Sequence, residues 1–318
     1  MVEDLHGLAG AVSERVAITT TTFGESDDAP LRILAEAGYQ AVANPLGRAL
    51  KAGEPAELCS GCVGIVAGTE RYGADTLRAL RDGGLRAISR VGAGMDAIDL
   101  AAAAALGIPV RNTPFGPTQA VAELTVALIM DMLRHVSWMD REMRGGTWKK
   151  RTGRLIAGRR VGIIGFGRIG RRVSELLSAL GAEVAYCDVA EQPDDGGCTP
   201  MEAGDLLAWA DIVSVHCSAE AGCGTLVGAR EISLMRDGAL IVNTSRGNLV
   251  DEAALAEALS AGKLAGAAVD VFGQEPYSGR LTGIDSVVLT PHVGSYALES
   301  RIQMEIDAVA NLLEELDS

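Results

Sequence analysis

The chain has 318 residues, of which 48% are hydrophobic and only 4% aromatic, and 39 are glycine. That length allows two domains, each able to bury its own core. A formal net charge of −14 argues against nucleic acid or an anionic membrane as a partner.

The acidic start lacks a basic stretch followed by an apolar core, so no secretory signal is expected. Glu123 and Asp131 break the most apolar run before it reaches the roughly 18 residues a membrane span needs. A cytoplasmic location is therefore expected. Of the cysteines, Cys59 and Cys62 form a C-x-x-C, but no second pair sits at zinc spacing. Small thiols in a reducing compartment, with no metal, are the expectation for these two and for Cys187, Cys198, Cys217 and Cys223.

Along the chain, strand signals at 16–20, 39–43, 63–67 and 85–89 alternate with helix signals such as 29–37 and 74–81. Gly38, Gly68, Gly83 and Gly84 punctuate the switches, which predicts a doubly wound parallel sheet of flavodoxin type. Asp99 is placed to cap an alanine-rich helix over 100–106, ended by Gly107, and 110–112 reads as a last short strand. Residues 117–133 read as a long, mostly apolar helix. Its flank to Lys150 carries Trp138 and Trp148, a composition suited to packing or subunit contact.

The apolar run 161–164 then leads into Gly165-Phe166-Gly167-Arg168-Ile169-Gly170. In a G-x-G-x-x-G between strand and helix, the first glycine makes the tight turn and the second admits a pyrophosphate close to the backbone. The third lets helix pack on strand. Val173, Leu176, Leu177 and Leu180 continue at helical spacing. A second strand over 183–187 ends at Asp188, near the distance expected for a carboxylate on the adenosine ribose hydroxyls. This unit predicts a dinucleotide site. Asp188 would repel a 2′-phosphate, and Val189, Ala190 and Glu191 offer no cation to hold one, so NAD is favoured over NADP.

Further strands at 212–215, 240–243, 267–271 and 287–289 bring this sheet to six, and 295–316 reads as a final amphipathic helix. Residues 191–197 form a polar loop. Ligands of such sheets sit beyond the carboxyl ends of the strands. Asp188, His216, Ser245, Arg246, Asp270 and His292 all fall at such ends. Each alone fits a structural role, as a solvated turn, a helix cap or a buried histidine. Their joint placement beside a dinucleotide site points to chemistry.

Several segments carry a resemblance: Gly92-Ala93-Gly94-Met95-Asp96, Asn112-Thr113-Pro114, Val121-Ala122-Glu123-Leu124-Thr125, the glycine fingerprint, Asn243-Thr244-Ser245-Arg246-Gly247, Val269-Asp270-Val271-Phe272, Gln274-Glu275-Pro276 and Thr290-Pro291-His292-Val293-Gly294. Over nearly its whole length the chain resembles the D-isomer-specific 2-hydroxyacid dehydrogenases. Asn44-Pro45-Leu46-Gly47-Arg48 is similar to phosphoglycerate dehydrogenase-like members, here without an appended regulatory domain.

The resemblance implies two doubly wound α/β domains. A Rossmann NAD-binding domain (113–293) would be inserted into a flavodoxin-like substrate domain (1–112 and 294–318), with hinges near Asn112 and Gly294. It implies a catalytic set of Arg246, Glu275 and His292. Histidine suits removal of a hydroxyl proton and its return as imidazolium. Glu275 would hold the ring and favour its charged form, and Arg246 offers a planar fork to a substrate carboxylate. Backbone N–H groups around Val91, Gly92 and Ala93 would bind that carboxylate as well. Arg168, Ile169, His216, Thr244, Ser245 and Gly294 would line the cofactor, with Asp270 on the nicotinamide amide.

The implied reaction is hydride transfer between NAD(H) and a D-2-hydroxy acid/2-oxo acid pair, by a homodimer formed through the nucleotide domain. Candidate substrates are 3-phosphoglycerate, whose phosphate Arg48, Arg71 or Arg90 would meet, and glycerate/hydroxypyruvate. The competing reading is an NAD-sensing corepressor of the same fold. Three departures from the family pattern affect the cleft: Cys217-Ser218-Ala219-Glu220 after His216, Ala97 where Asn is usual, and Tyr296 where a smaller residue is usual.

Overall fold

A computed structural model of the chain describes residues 13–51, 53–190, 196–218 and 224–318. The acidic start through Val12, residues 191–195 of the polar loop, and Ala219, Glu220 and Cys223 lie outside them. The chain divides into two compact units, one ending at Pro114 and resuming at Arg301–Ser318, the other Phe115–Ser300.

The first unit runs β1 (Arg15–Ile18), α1 (Ala29–Glu36), β2 (Gln40–Ala43), α2 (Glu54–Leu58), β3 (Gly64–Ala67), α3 (Ala74–Asp82), β4 (Ala87–Arg90), α4 (Leu100–Ala105) and β5 (Val110–Asn112). The strands pair in the order β2-β1-β3-β4-β5, all parallel, which is the flavodoxin arrangement. Strands covered on both faces need continuous apolar runs, and Gly64–Ala67 is buried at all four positions. One face packs Ile65, Leu77, Leu80 and Ile88. The other packs Val16, Ile18 and Val66 against Met304, Ala308, Val309, Leu312 and Leu316. Those five come from the chain's last helix, Leu298–Leu316, whose apolar stripe recurs at i+3 and i+4. Each large aliphatic side chain buried this way stabilises by about 1.5–3 kcal/mol.

The second unit opens with α5 (Pro117–Arg134) and α6 (Val136–Arg144). It continues with β6 (Arg160–Ile164), α7 (Arg168–Ala179), β7 (Glu183–Cys187), β8 (Thr199–Pro200), α8 (Ala203–Trp209), β9 (Ile212–Val215), α9 (Ala229–Leu234), β10 (Ala239–Asn243), α10 (Glu252–Ser260), β11 (Leu264–Val269) and β12 (Val287–Leu289). The helix Leu298–Leu316 is then α11. All seven strands are parallel, in the order β12-β11-β10-β9-β6-β7-β8. The order reverses between β6 and β9, which opens a crevice beyond their carboxyl ends.

Three expectations need correction. The sheet gains a seventh strand, β8, whose two residues are both exposed and so carry no apolar signal. β11 lies earlier than 267–271, and this leaves Asp270 just past the strand end. The second unit also extends beyond Gly294. The N–H groups of Val293 and Gly294 bond to Asp270, and that of Tyr296 to Val293 O, which tethers this segment to β11. Among the described residues no helix is long and apolar enough to cross a membrane. Cys59 and Cys62 are buried and free, and burial pushes both thiols up, Cys59 to about 12.

Candidate active site

The glycine turn follows from contacts that side chains would forbid. Gly165 has φ +92°, a region that L-residues rarely enter, and its N–H donates to Cys187 O at 2.8 Å. A Cβ on Gly170 would overlap the Gly165 carbonyl oxygen, so only glycine brings α7 this close to β6. A Cβ on Gly167 would meet open space, and Gly167 caps α7, whose first-turn N–H groups are the natural anion seat.

Asp188, at the tip of β7, accepts from Phe166 N (2.6 Å, Oδ2) and Ala190 N (2.9 Å, Oδ1). These two bonds fix its carboxylate beside the turn and leave each oxygen a further lone pair for a hydroxyl. His216, past β9, has Nε2 2.8 Å from Ser214 Oγ. Its Nδ1 is sealed off with no partner among the described residues. The residue as a whole is half-buried, but enclosure of the ring pushes the imidazole down to about 4, so it is neutral at physiological pH. Open glycine, helix start, anchored carboxylate and orphaned ring nitrogen all fit a dinucleotide.

Past β10, Asn243 organises the next turn: its Oδ1 accepts from Ser245 N and Oγ, and its Nδ2 donates to Arg246 O. Arg246 Nη1 in turn donates to Ser245 O at 2.7 Å. A Cβ on Gly247 would overlap the Phe272 carbonyl, so this turn lies flat against the segment that carries Glu275. Thr244 faces inward, its Oγ1 2.9 Å from Thr125 Oγ1 on α5.

Asp270 is 0% exposed and acts as a hub. Its carboxylate accepts from Thr290 Oγ1 (2.6 Å), Val293 N (2.9 Å) and Gly294 N (2.9 Å), and its own carbonyl accepts from His292 N. These bonds hold His292 in left-handed backbone, φ 54°. The same set turns the Asp270 side chain into the turn, while its own N–H donates to Asn243 O at 3.0 Å.

Held this way, His292 Nδ1 lies 2.9 Å and 3.1 Å from the two oxygens of Glu275. Burial tends to raise the Glu275 carboxyl. It is outweighed by the hydrogen bond and charge of His292, the Phe272 N–H and the charge of Arg246, so the group sits below the ordinary carboxylate value. Arg246, Glu275 and His292, widely separated in sequence, thus act on one another.

In the first unit, two of the expected carboxylate donors are already engaged. Val91 N donates to Ala67 O at 3.0 Å and Gly92 N to Thr113 Oγ1 at 2.7 Å, so of the three only the Ala93 N–H meets no acceptor among the described residues. Asn112 Nδ2 and Thr113 Oγ1 brace this loop, the former through Ala93 O. Neither was assigned a role from sequence, although both lie in a quoted motif; the signal was a polar pair at the end of β5, next to the loop after β4.

Residues 126–294 match the NAD binding domain of the D-isomer specific 2-hydroxyacid dehydrogenases. The chain belongs to this family. It is 38% identical to D-3-phosphoglycerate dehydrogenase of Escherichia coli K12 over 71% of this chain, but spans only 57% of that protein's length. It is 33% identical to hydroxypyruvate reductase of Thermotoga maritima, covering 79% of this chain and 84% of the relative. Among solved structures, a protein of Thermus thermophilus superposes with a TM-score of 0.86 at 33% identity, covering 95% of this chain and 97% of the other.

Because Asp270 takes two buried backbone N–H bonds and a hydroxyl, Asp270→Asn turns an amide N–H toward donors and loses charge-assisted bonds. The expected loss is about 2–4 kcal/mol of unfolding free energy. Urea titration measures it, and a stability within about 1 kcal/mol of wild type would contradict the hub assignment.

Proposed function

We propose that the chain is an NAD-dependent oxidoreductase that interconverts a D-2-hydroxy acid and its 2-oxo acid. The observation that carries this is the His292–Glu275 pair at 2.9 Å with the Arg246 charge beside it. Bound NAD would supply the hydride acceptor. Residues 115–300 would hold it, through the α7 N-terminus at the pyrophosphate and Asp188 at the ribose.

In the oxidation direction, neutral His292 takes the hydroxyl proton on Nε2 while Glu275 holds Nδ1 and stabilises the imidazolium that forms. In reduction the imidazolium returns that proton. Arg246 binds the substrate carboxylate with its planar fork and polarises the adjacent carbonyl oxygen.

For the substrate, a small 2-oxo acid such as hydroxypyruvate is the leading class, and the phosphorylated acid is the other. Both terminal guanidinium nitrogens of Arg48, Nη1 and Nη2, donate to Glu54, which disfavours it as a phosphate ligand.

A homodimer in the cytoplasm is part of the same proposal. No residue of α6 is buried, and Val136, Met143, Trp148 and Leu155 are between 56% and 80% exposed along it and its extension. A second copy would cover this patch, as large exposed apolar surfaces ordinarily require. The free thiols of Cys59, Cys62, Cys187 and Cys198 suit a reducing compartment, which cell fractionation checks.

A panel of 2-oxo acids is expected to give NADH consumption with at least one small member, and much less with NADPH. No turnover across the panel would overturn the enzyme reading, and a preference for NADPH would overturn the role of Asp188. Glu275→Gln removes the anion that favours the imidazolium. Since oxidation needs neutral His292, the acid limb of its pH profile is expected to move to lower pH, and an unmoved limb would remove Glu275 from this role. Sedimentation is expected to give twice the mass of one chain, and Trp148→Glu a shift toward monomer; a monomeric wild type would end the dimer proposal.

A further inference from the structure

Phe115 is 72% exposed, directly ahead of Gly116, the cap of α5. The Cζ of Arg168, first residue of α7, lies 4.9 Å from the centroid of its ring. Arg168 makes no ion pair or hydrogen bond among the described residues. Its neighbours on the same helix are held otherwise: Arg172 by Gln119 and Glu175, and Arg171 by the Phe166 carbonyl.

The difference has a chemical meaning. A carboxylate partner occupies the in-plane N–H donors of a guanidinium and cancels its charge. An aromatic ring attracts the guanidinium without neutralising it, so the full charge stays available, with in-plane donors to spare. Arg168 stands at the helix N-terminus that already favours a phosphate. An arginine left in water there would sample many rotamers, and binding would have to order it.

We propose that Phe115 is a positioning residue for the dinucleotide: its ring pre-orients Arg168 to grip the pyrophosphate. The proposal rests on the NAD-binding reading of the glycine turn. It also places a determinant of cofactor affinity on the first residue of the second unit, at the crossover from the first.

The test is a double-mutant cycle read by equilibrium titration of NADH, not by turnover. Phe115→Ala is expected to weaken NADH about three- to tenfold, with Phe115→Trp restoring binding. In the Arg168→Ala background Phe115→Ala should change nothing further. Adenosine, which lacks phosphates, should bind wild type and Phe115→Ala alike, and the melting temperature of the ligand-free protein should stay put because the side chain is exposed. Equal NADH affinity of Phe115→Ala and wild type would overturn the proposal while leaving the dinucleotide site standing. So would an equal loss in both backgrounds, or a matching loss for adenosine. A wild type that does not bind NADH at all would overturn both.

Discussion

The Asp270 carboxylate, closed off from solvent, collects the hydroxyl of Thr290 and the N–H groups of Val293 and Gly294, and the reactive edge of the second unit is built around that collection. An ionised carboxylate is costly to bury without several donors, and here the donors all come from one short turn. The turn is forced into the single shape that presents them, and His292 takes left-handed backbone as part of it. Its imidazole then reaches Glu275 in a geometry that a freely rotating loop would not maintain. Catalytic groups need supports of this kind, because misplacement by an ångström costs orders of magnitude in rate.

The glycine turn of the second unit shows the same economy. Gly165 and Gly170 let β6, β7 and α7 approach one another, and Phe166 N reaches across to Asp188. The carboxylate proposed for the ribose is therefore also a strut of the turn. Its substitution would alter both cofactor choice and the shape of the loop, so the two effects have to be separated by measuring affinity and stability together.

Much of this was readable from residue order. Runs buried on both faces, such as those of β3 and β9, announced their limits to within a residue because apolar residues stop where solvent begins. The glycine fingerprint was legible because backbone sterics admit no substitute at Gly165 and Gly170. β11 was misjudged by several residues, since Leu-Ala-Gly-Ala-Ala-Val carries little contrast between strand and flanking turn. β8 exists only because β7 offers an edge. The allocation of individual N–H groups after β4 was beyond reach: whether Gly92 donates outward or to Thr113 depends on where β5 ends beside it. The stacking of Arg168 on Phe115 was equally hidden, being a contact between two helix starts far apart in the chain.

The dependence of the first sheet on α11 has a consequence for biogenesis. Val16, Ile18 and Val66 are synthesised well before the side chains that cover them, from Met304 to Leu316. Between the two comes the whole of the inserted unit, which holds its own core and is free to fold while the ribosome is still working. The nascent chain thus carries a bare apolar sheet face until α11 has been made, and chaperone capture during that interval is the natural protection for it.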